Sequence, residues 1–444
     1  MSLEMEAGVN GRGGGRRVVI TGVGLVSPLG NDAETLWREL AAGRSGLERA
    51  EEFATGGFRT QACGRVREFN PRKLIADAKT LKLMTRPVRL GVAALELAVA
   101  DARLDLSHVD PFRVASYVGS PGHAGDRDEL LPALERASRG GDDGLDLQAF
   151  GAEGIATINP LWLLKSLANI VLYFVSMKVG AQGPNGNICM SGAGGVMAIG
   201  EAFRCLRRGA ADIAVAGGYE SLLEEERLES FEPSGLLYLG NGVAAQASRP
   251  FDRDRAGFVP AEGAAFVVLE EREAALRRGA RIYGEVTGYG LGSPGCVGRP
   301  SETAEAFLGA MQAAVADARR DPWELDAISA YGLGTVQSDR AEAEALKALL
   351  TARAAYVPVT AVKSATGNFS AGSGPLEVIA GCGVLQGAMP GLPAILNCEH
   401  PDPDLGLDYV RGRPRAGSYR RLLVNSASLS GAAASVVLES GDPA

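Results

Sequence analysis

The sequence predicts a large α/β protein built from two similar halves. Short β-branched runs such as Val18–Thr21 alternate with amphipathic helical segments, and Gly-rich bends follow the strand ends. The order strand, loop, helix, strand occurs in both halves of the chain. With 444 residues, 46% of them hydrophobic, the chain is long enough for one large unit or for two halves around a shared core.

Composition excludes several classes of function. The formal net charge of −8 argues against nucleic acid or an anionic membrane as a partner. The six Cys show no CxxC pair and no metal-ligand spacing, so we expect no metal and no cofactor. Because the sequence shows no signal peptide, we expect a cytoplasmic protein with reduced thiols. Residues 1–15 are Gly-rich and polar, and we interpret them as a disordered lead-in.

The first predicted strand, Val18–Thr21, is followed by Gly22-x-Gly24. A dinucleotide-binding loop is disfavoured there because Ser27 stands at the third glycine position. Asp32 is a predicted N-cap for the next helix. The following predicted elements are a helix at Ala33–Ala42, a helix at Leu90–Ala102, a strand at Val114–Val118 and a charged surface helix at Asp126–Arg139.

The most apolar run is Leu161–Val179. It could span a bilayer, but Lys165, Asn169 and Lys178 interrupt it. We therefore expect a helix buried against a partner or a tunnel.

The stretch Gly183–Gly200, GPNGNICMSGAGGVMAIG, predicts a Gly-Pro turn, a strand at Gly186–Ser191 and a tight bend. A helix then begins near Ala193, and a second strand, Ile213–Ala216, follows it. Nucleophile elbows lie at such bends, where backbone N–H groups can stabilise an anion.

The second half opens with a strand at Tyr283–Tyr289 and a helix in 302–318. A short strand, Ala327–Ala330, then leads into YGLGT, and two further Gly- and Ser-rich segments follow, VKSATGNFSAGSG and VNSASLSGAAAS.

Several of these motifs resemble the β-ketoacyl-acyl-carrier-protein synthases. They are TGVGLVSPLG near the start, SRPFDRDRAGFVPAEGA in the middle and the elbow itself. The resemblance implies a thiolase fold with a duplicated five-layer αβαβα core. It also implies an N-terminal half at 16–275, with cap insertions, and a C-terminal half at 276–440.

The same comparison of motifs indicates that the reactive groups of the family are missing. The family's Cys corresponds to Gly192, and its two His correspond to Tyr331 and Asn368. Condensation needs a thiolate to hold the acyl chain and donors to stabilise the enolate. The surrounding frame is retained at Asp339, Glu342, Lys363, Thr335 and Asn425.

This pattern is similar to that of the chain-length factor, the ketosynthase β subunit of type II polyketide synthases. The resemblance implies a catalytically silent subunit that forms a heterodimer with an active ketosynthase α subunit and meets acyl carrier protein. The subunit would shape the tunnel for the growing polyketide and so set chain length. The candidate tunnel residues are Leu172, Tyr173, Phe174 and Leu429.

Two other hypotheses stay open. The chain could be a divergent acyl-processing ketosynthase homologue that uses Cys189 or Ser191 as its nucleophile, or a homodimeric acyl-binding scaffold. The apolar strand pattern favours a buried, inert thiol at Cys189. Ser191 would need a base within reach, and neither motif retains its His.

Overall fold

The structure is a computed structural model that describes residues 15–122, 127–138, 144–294 and 303–441. The predicted lead-in therefore lies, apart from Gly15, outside the described residues. The strands are β1 (Val18–Val26), β2 (Leu47–Arg49), β3 (Ala62–Gly64), β4 (Val114–Gly119), β5 (Asn185–Ile188), β6 (Ile213–Ser221), β7 (Glu262–Glu271), β8 (Gly284–Gly292), β9 (Ala327–Ser329), β10 (Pro358–Thr360), β11 (Asp408–Tyr409), β12 (Arg421–Ala427) and β13 (Ala433–Glu439).

The α-helices are α1 (Ala33–Ala41), α2 (Glu51–Thr55), α3 (Pro71–Leu74), α4 (Arg86–Ala102), α5 (Leu131–Ala137), α6 (Leu147–Ala149), α7 (Trp162–Ser166), α8 (Ile170–Val179), α9 (Ser191–Arg207), α10 (Glu225–Phe231), α11 (Arg272–Arg277), α12 (Ala304–Asp317), α13 (Val336–Leu350), α14 (Lys363–Thr366) and α15 (Ser373–Leu385). None of the helices in the described part of the chain combines the length and the apolarity needed to cross a bilayer.

The strand order repeats from the centre of the main sheet outwards. In one direction it runs β1-β7-β6-β4-β5, and in the other β8-β13-β12-β9-β10-β11. In each arm the first two pairings are antiparallel and the next two are parallel. The antiparallel pairing of β1 with β8 joins the arms. The predicted duplication of the α/β unit is thus present in the topology.

Helices cover both arms of the sheet and fill the space between them. α4 packs on β1, β7 and β6, α12 packs on β8 and β13, and α9 and α15 contact strands of both arms. The resulting order is helix, sheet arm, helix, sheet arm, helix, which confirms the predicted five-layer thiolase fold. The middle helix layer contains α9, and the predicted elbow lies at its start.

Glycines in the two innermost strands allow the outer helices to approach closely. A Cβ at Gly24 in β1 would lie 2.1 Å from the Ala98 nitrogen of α4, and a Cβ at Gly290 in β8 would lie 2.1 Å from the Ala310 oxygen of α12. Gly22 and Gly24 therefore serve helix packing, in agreement with the sequence-based rejection of a dinucleotide loop.

The apolar run Leu161–Val179 is two helices rather than the predicted one. The backbone turns to an extended conformation at Leu167 between α7 and α8. Ser166 Oγ donates a hydrogen bond to the Trp162 carbonyl, 2.7 Å away. A side-chain hydrogen bond to the carbonyl four residues earlier competes with the backbone hydrogen bonds of a regular helix. This one lies in the last turn before the break.

Candidate functional site

The turn from β5 into α9 contains the predicted elbow. β5 ends at Ile188 and α9 begins at Ser191, both earlier than predicted. Ser191 has a φ of 39°, in the left-handed region that non-glycine residues rarely adopt, and its side chain is exposed. A strained residue at a strand-to-helix turn is typical of a nucleophile elbow.

Gly192, at the position of the family's Cys, has no room for a side chain. A Cβ at this position would lie 2.2 Å from the Ala427 carbonyl oxygen at the end of β12. Ser426 Oγ donates a 2.7 Å hydrogen bond to the Gly192 carbonyl and holds the same two segments together. Gly192 therefore belongs to the packed core of the elbow.

Tyr331, which stands at a family His position, lies beside Gly192. Its hydroxyl oxygen is 3.5 Å from the point that a Cβ of Gly192 would occupy, and its side chain is only 1% exposed. The Lys363 ammonium lies 4.6 Å from the centre of the Tyr331 ring, a cation–π distance. Gly192 and Tyr331 are thus brought together, as their positions in the family predict.

Asn368, at the second His position, is buried and belongs to a turn that packs against the elbow. Its Oδ1 accepts a 3.1 Å hydrogen bond from the Ser370 N–H. In the same turn the Ala371 carbonyl lies 2.1 Å from the point that a Cβ of Gly195 would occupy. The side chain of Asn368 therefore fixes backbone in the core of the site.

The retained acidic residues hold loops in place from within the core. Glu342 accepts hydrogen bonds from the Tyr331 N–H (2.8 Å), the Gly332 N–H (2.9 Å) and the Asn425 side-chain amide (2.9 Å). Burial raises the pKa of Glu342 above its ordinary value.

Asp339 accepts hydrogen bonds from the Phe251 N–H (2.7 Å) and the Gly334 N–H (3.0 Å), and burial raises its pKa to about 7. The Lys363 ammonium contacts the Glu377 carboxylate, and both side chains are almost fully buried. Burial raises the pKa of Glu377 to about 7. These groups have hydrogen-bonding and ion-pair partners within the protein, which fits a structural role.

The four candidate tunnel residues lie in different surroundings. Leu172 and Phe174 are buried in the apolar cluster around α4 and α8, and Leu429 packs against the cluster around α12 and α13. Tyr173 is 52% exposed, and its ring lies 5.1 Å from that of Phe174. Their contact with an acyl chain stays a prediction.

Cys189 is exposed, so the expectation of a buried, inert thiol is wrong. The residue follows β5, which is the outermost strand of its arm, and only β4 flanks that strand within the described chain. Its Sγ lies 3.2 Å from Asn187 Nδ2 and 3.5 Å from Ser120 Oγ. Sequence patterns gave no sign of these two neighbours, because strand order at the sheet edge decides which side chains meet.

The other described thiols differ from Cys189 in their accessibility. Cys63, Cys205, Cys382 and Cys398 are buried. Burial raises the pKa of Cys63, Cys382 and Cys398 to about 12. Their thiolates are therefore scarce at neutral pH. Cys296 lies outside the described residues.

No group of three or more His, Cys, Asp or Glu side chains that could hold a metal ion occurs among residues 15–122, 127–138, 144–294 and 303–441. The chemistry that the exposed part of the elbow offers is that of a thiol and a hydroxyl, at Cys189 and Ser191.

Two family profiles match most of the chain. The β-ketoacyl synthase N-terminal domain matches residues 15–275, and the β-ketoacyl synthase C-terminal domain matches residues 283–399. Among curated proteins, the 3-oxoacyl-[acyl-carrier-protein] synthase 2 of Coxiella burnetii is 33% identical over 95% of this chain and 98% of its own length. The protein of the same name from Synechocystis is 32% identical over 90% of this chain and 92% of its own length.

Solved structures give the same family. One solved structure is that of a type II PKS acyl-carrier protein in complex with its ketosynthase bound to the hexaketide. One of its chains matches this chain with a TM-score of 0.80 and 29% sequence identity. A second solved structure is that of the ishigamide ketosynthase/chain length factor. One of its chains matches this chain with a TM-score of 0.84 and 28% sequence identity. Each match covers 96% of this chain and 100% of the other.

The prediction of a catalytically silent chain-length factor is wrong in the light of these relatives. The similar curated proteins, 31–33% identical over 89–95% of the chain, are named 3-oxoacyl-[acyl-carrier-protein] synthase 2. This kinship favours the alternative hypothesis of an acyl-processing ketosynthase homologue. The chain belongs to the β-ketoacyl synthase family.

Proposed function

We propose that this chain is a divergent ketosynthase homologue that processes acyl groups and that Cys189 is its acyl-accepting nucleophile. The observation on which the proposal depends is an exposed thiol at the elbow, in a chain whose curated relatives are named 3-oxoacyl-[acyl-carrier-protein] synthases. The substrate class would be an acyl thioester on acyl carrier protein.

Cys189 is preferred to Ser191 because of what each nucleophile requires. A serine hydroxyl needs an adjacent general base, and the family's His positions are Tyr331 and Asn368 in this chain. A thiol has a small thiolate fraction at neutral pH without a base and is intrinsically nucleophilic. The Asn187 amide and the Ser120 hydroxyl, 3.2 Å and 3.5 Å from Sγ, are available as donors to a thiolate.

The proposed step is a thioester exchange. The Cys189 thiolate attacks the carbonyl carbon of the acyl thioester and forms a new carbon–sulfur bond. The bond between that carbon and the carrier sulfur breaks, and the carrier thiolate takes up a proton from water. The thiol proton of Cys189 is lost to water beforehand, so atoms and charge balance.

The experiment is incubation of the protein with acyl-loaded carrier protein, followed by intact-mass measurement. We expect a mass increase equal to the acyl group in the wild type and in Ser191→Ala, and none in Cys189→Ala. Peptide mapping should locate the group on Cys189. Loss of the adduct in Ser191→Ala with its retention in Cys189→Ala would assign the role to Ser191 and contradict our choice.

A second ketosynthase-fold chain is a further proposed partner. The outer face of α7 and α8 exposes several large apolar side chains, and β5 is an edge strand within the described chain. Apolar surface of this kind is unusual on a monomer and common at subunit interfaces. The exposed apolar residues of this α7–α8 face are Leu161, Leu163, Leu164, Leu167, Tyr173 and Met177.

We retain two earlier predictions as proposals. The acyl chain would contact Leu172, Tyr173, Phe174 and Leu429 once a partner chain covers the α7–α8 face. The protein would be organised as the halves 16–275 and 276–440.

A further inference from the structure

The carboxyl-terminal end of α9, opposite the elbow, borders a cavity of about 600 Å³. Because α9 has 17 residues, its two ends lie about 25 Å apart, so this cavity is separate from the candidate acyl site. A volume of this size is typical of small-molecule sites. The cavity is lined by five arginines from three segments of the chain: Arg16, Arg17, Arg207, Arg208 and Arg319.

The lining residues of this cavity carry more positive than negative charge. Their carboxylates are Glu285, whose Oε1 lies 2.9 Å from Arg17 Nε, and Asp317, whose Oδ1 lies 2.8 Å from Arg207 Nη2. Five arginines thus face two carboxylates, an excess of three positive charges. This excess occurs in a chain whose formal net charge is −8.

Neighbouring groups outside the lining offset this excess only in part. Asp212 Oδ1 lies 2.6 Å from Arg16 Nη1, but it also lies 2.6 Å from Arg113 Nη2, so two arginines share this carboxylate. The carbonyl ends of α9 and α12 each carry about half a negative charge. Together the two helix ends offset about one of the three charges, which leaves an excess of about two.

The uncompensated charge belongs to Arg208 and Arg319. In the part of the chain that the structure describes, neither of them forms an ion pair with a carboxylate, and both side chains are exposed. The planar guanidinium group of arginine presents several N–H donors in a fork that matches the oxygens of a phosphate group. Both groups are therefore available to an anionic ligand in the cavity.

We propose that this cavity binds a small anion with two adjacent phosphate groups. One phosphate group accepts hydrogen bonds from Arg208 and the other from Arg319, which stand at the ends of two different helices. A phosphate group carries about −1.5 to −2 charges at pH 7. Binding therefore relieves the repulsion among the arginines and stabilises the folded chain. The proposal is independent of the acyl-accepting function.

The test is calorimetric titration of the full chain with inorganic pyrophosphate and, separately, with inorganic phosphate, in a buffer of low ionic strength. We expect saturable binding of one pyrophosphate per chain. Inorganic phosphate should bind about tenfold more weakly, because it can engage only one of the two unpaired arginines. Pyrophosphate should also raise the melting temperature of the protein, since it binds the folded state.

Arg319→Gly removes one of the two unpaired arginines without harm to the fold. Arg319 follows α12 with a φ of 55°, in the left-handed region, where glycine is the preferred residue. The corresponding position after α9 is Gly209, with a φ of 76°. The variant should melt no lower than the wild type without ligand, and its affinity for pyrophosphate should fall about tenfold.

Arg103→Gly is the matched control. Arg103 is an exposed arginine at the end of α4 with a φ of 49°, and it lies outside the lining of the cavity. Both variants lose one positive charge, so a general effect of net charge on anion binding would be the same in the two. Arg103→Gly should bind pyrophosphate as the wild type does.

Four results would overturn the proposal. They are no saturable binding of pyrophosphate by the wild type, binding of phosphate as tight as that of pyrophosphate, wild-type affinity in Arg319→Gly, and an equal loss of affinity in Arg319→Gly and Arg103→Gly. The last result would mean that the anion responds to net charge and not to this cavity.

Discussion

The carbonyl oxygen of Ala427 occupies the space that a side chain at Gly192 would need. The distance from that oxygen to a Cβ at position 192 would be 2.2 Å, well inside contact distance. Because the obstructing atom is backbone and not the end of a flexible side chain, restoring the family's Cys requires the end of β12 to move. The absence of the family's Cys at position 192 and the close packing of the end of β12 are therefore linked.

Gly192→Ala should destabilise the protein by about 1–3 kcal/mol, the usual cost of overpacking a core. Gly151→Ala is a suitable control, because a Cβ there meets no atom within 4 Å. Urea denaturation of both variants measures this difference. Equal free energies of unfolding for the two variants would contradict the prediction and show that the Ala427 segment moves aside without loss of stability.

Gly192→Cys should not create an active synthase. The new thiol would enter the space next to the buried Tyr331 ring, where the family has a His. We expect no gain in acyl adduct over the wild type when both are incubated with acyl-loaded carrier protein. A new adduct mapped to position 192 would contradict this.

Removing Lys363 should be costly because it leaves a carboxylate without its partner in the core. Lys363→Met leaves the buried Glu377 carboxylate without its ammonium partner. Breaking a buried ion pair in this way lowers the free energy of unfolding by about 3–5 kcal/mol. The double variant Lys363→Met/Glu377→Gln should lose less than the sum of the two single losses, by urea denaturation. Strict additivity would mean that the two groups do not interact.

The pH dependence of stability should show the titration of Asp339. Burial raises its folded pKa to about 7 from an ordinary 3.8. Between these values the folded state holds a proton that the unfolded state has released. Its stabilising contribution is therefore complete below about pH 4 and is lost as the pH rises through about 7.

Asp339→Asn removes this titration. Its amide NH₂ would also face a backbone N–H donor, so we expect the free energy of unfolding to fall by about 1–3 kcal/mol. The advantage of the wild type over this variant in unfolding free energy should shrink between about pH 5 and about pH 8. A wild-type advantage that stays constant over the same interval would mean that the folded pKa of Asp339 is not raised.

The α7–α8 face should mediate association with a second chain. Met177 is 65% exposed there, and Met177→Glu would place a charge in an apolar interface. We expect a smaller mass by size exclusion with light scattering. Tyr356→Glu, at a site 77% exposed and distant in sequence, should leave the mass unchanged. A wild-type monomer at micromolar concentration would exclude the interface.

Local signals in the sequence were sufficient for much of the fold. Asp32 was predicted as an N-cap, and its side chain accepts the Thr35 N–H at 2.7 Å. The break at Leu167 could not be predicted, because no Gly or Pro marks it. The exposure of Cys189 depends on which strand lies at the sheet edge, a property of the whole topology and not of the apolar pattern around the residue.

At the candidate site, the family motifs identified the positions of Gly192, Tyr331 and Asn368 but not their packing. The closeness of Ala427 to Gly192 comes from a contact between segments more than 200 residues apart. The kinship with synthases also corrects the silent-subunit hypothesis, which rests on the three missing groups, the retained frame and the resemblance to a chain-length factor.

The most direct test of this account is the intact mass of the protein after incubation with acyl-loaded carrier protein. We predict one acyl group per chain in the wild type and none in Cys189→Ala. A wild type that gains no acyl mass, or a Cys189→Ala variant that gains as much as the wild type, would contradict the assignment of Cys189 as the acyl acceptor.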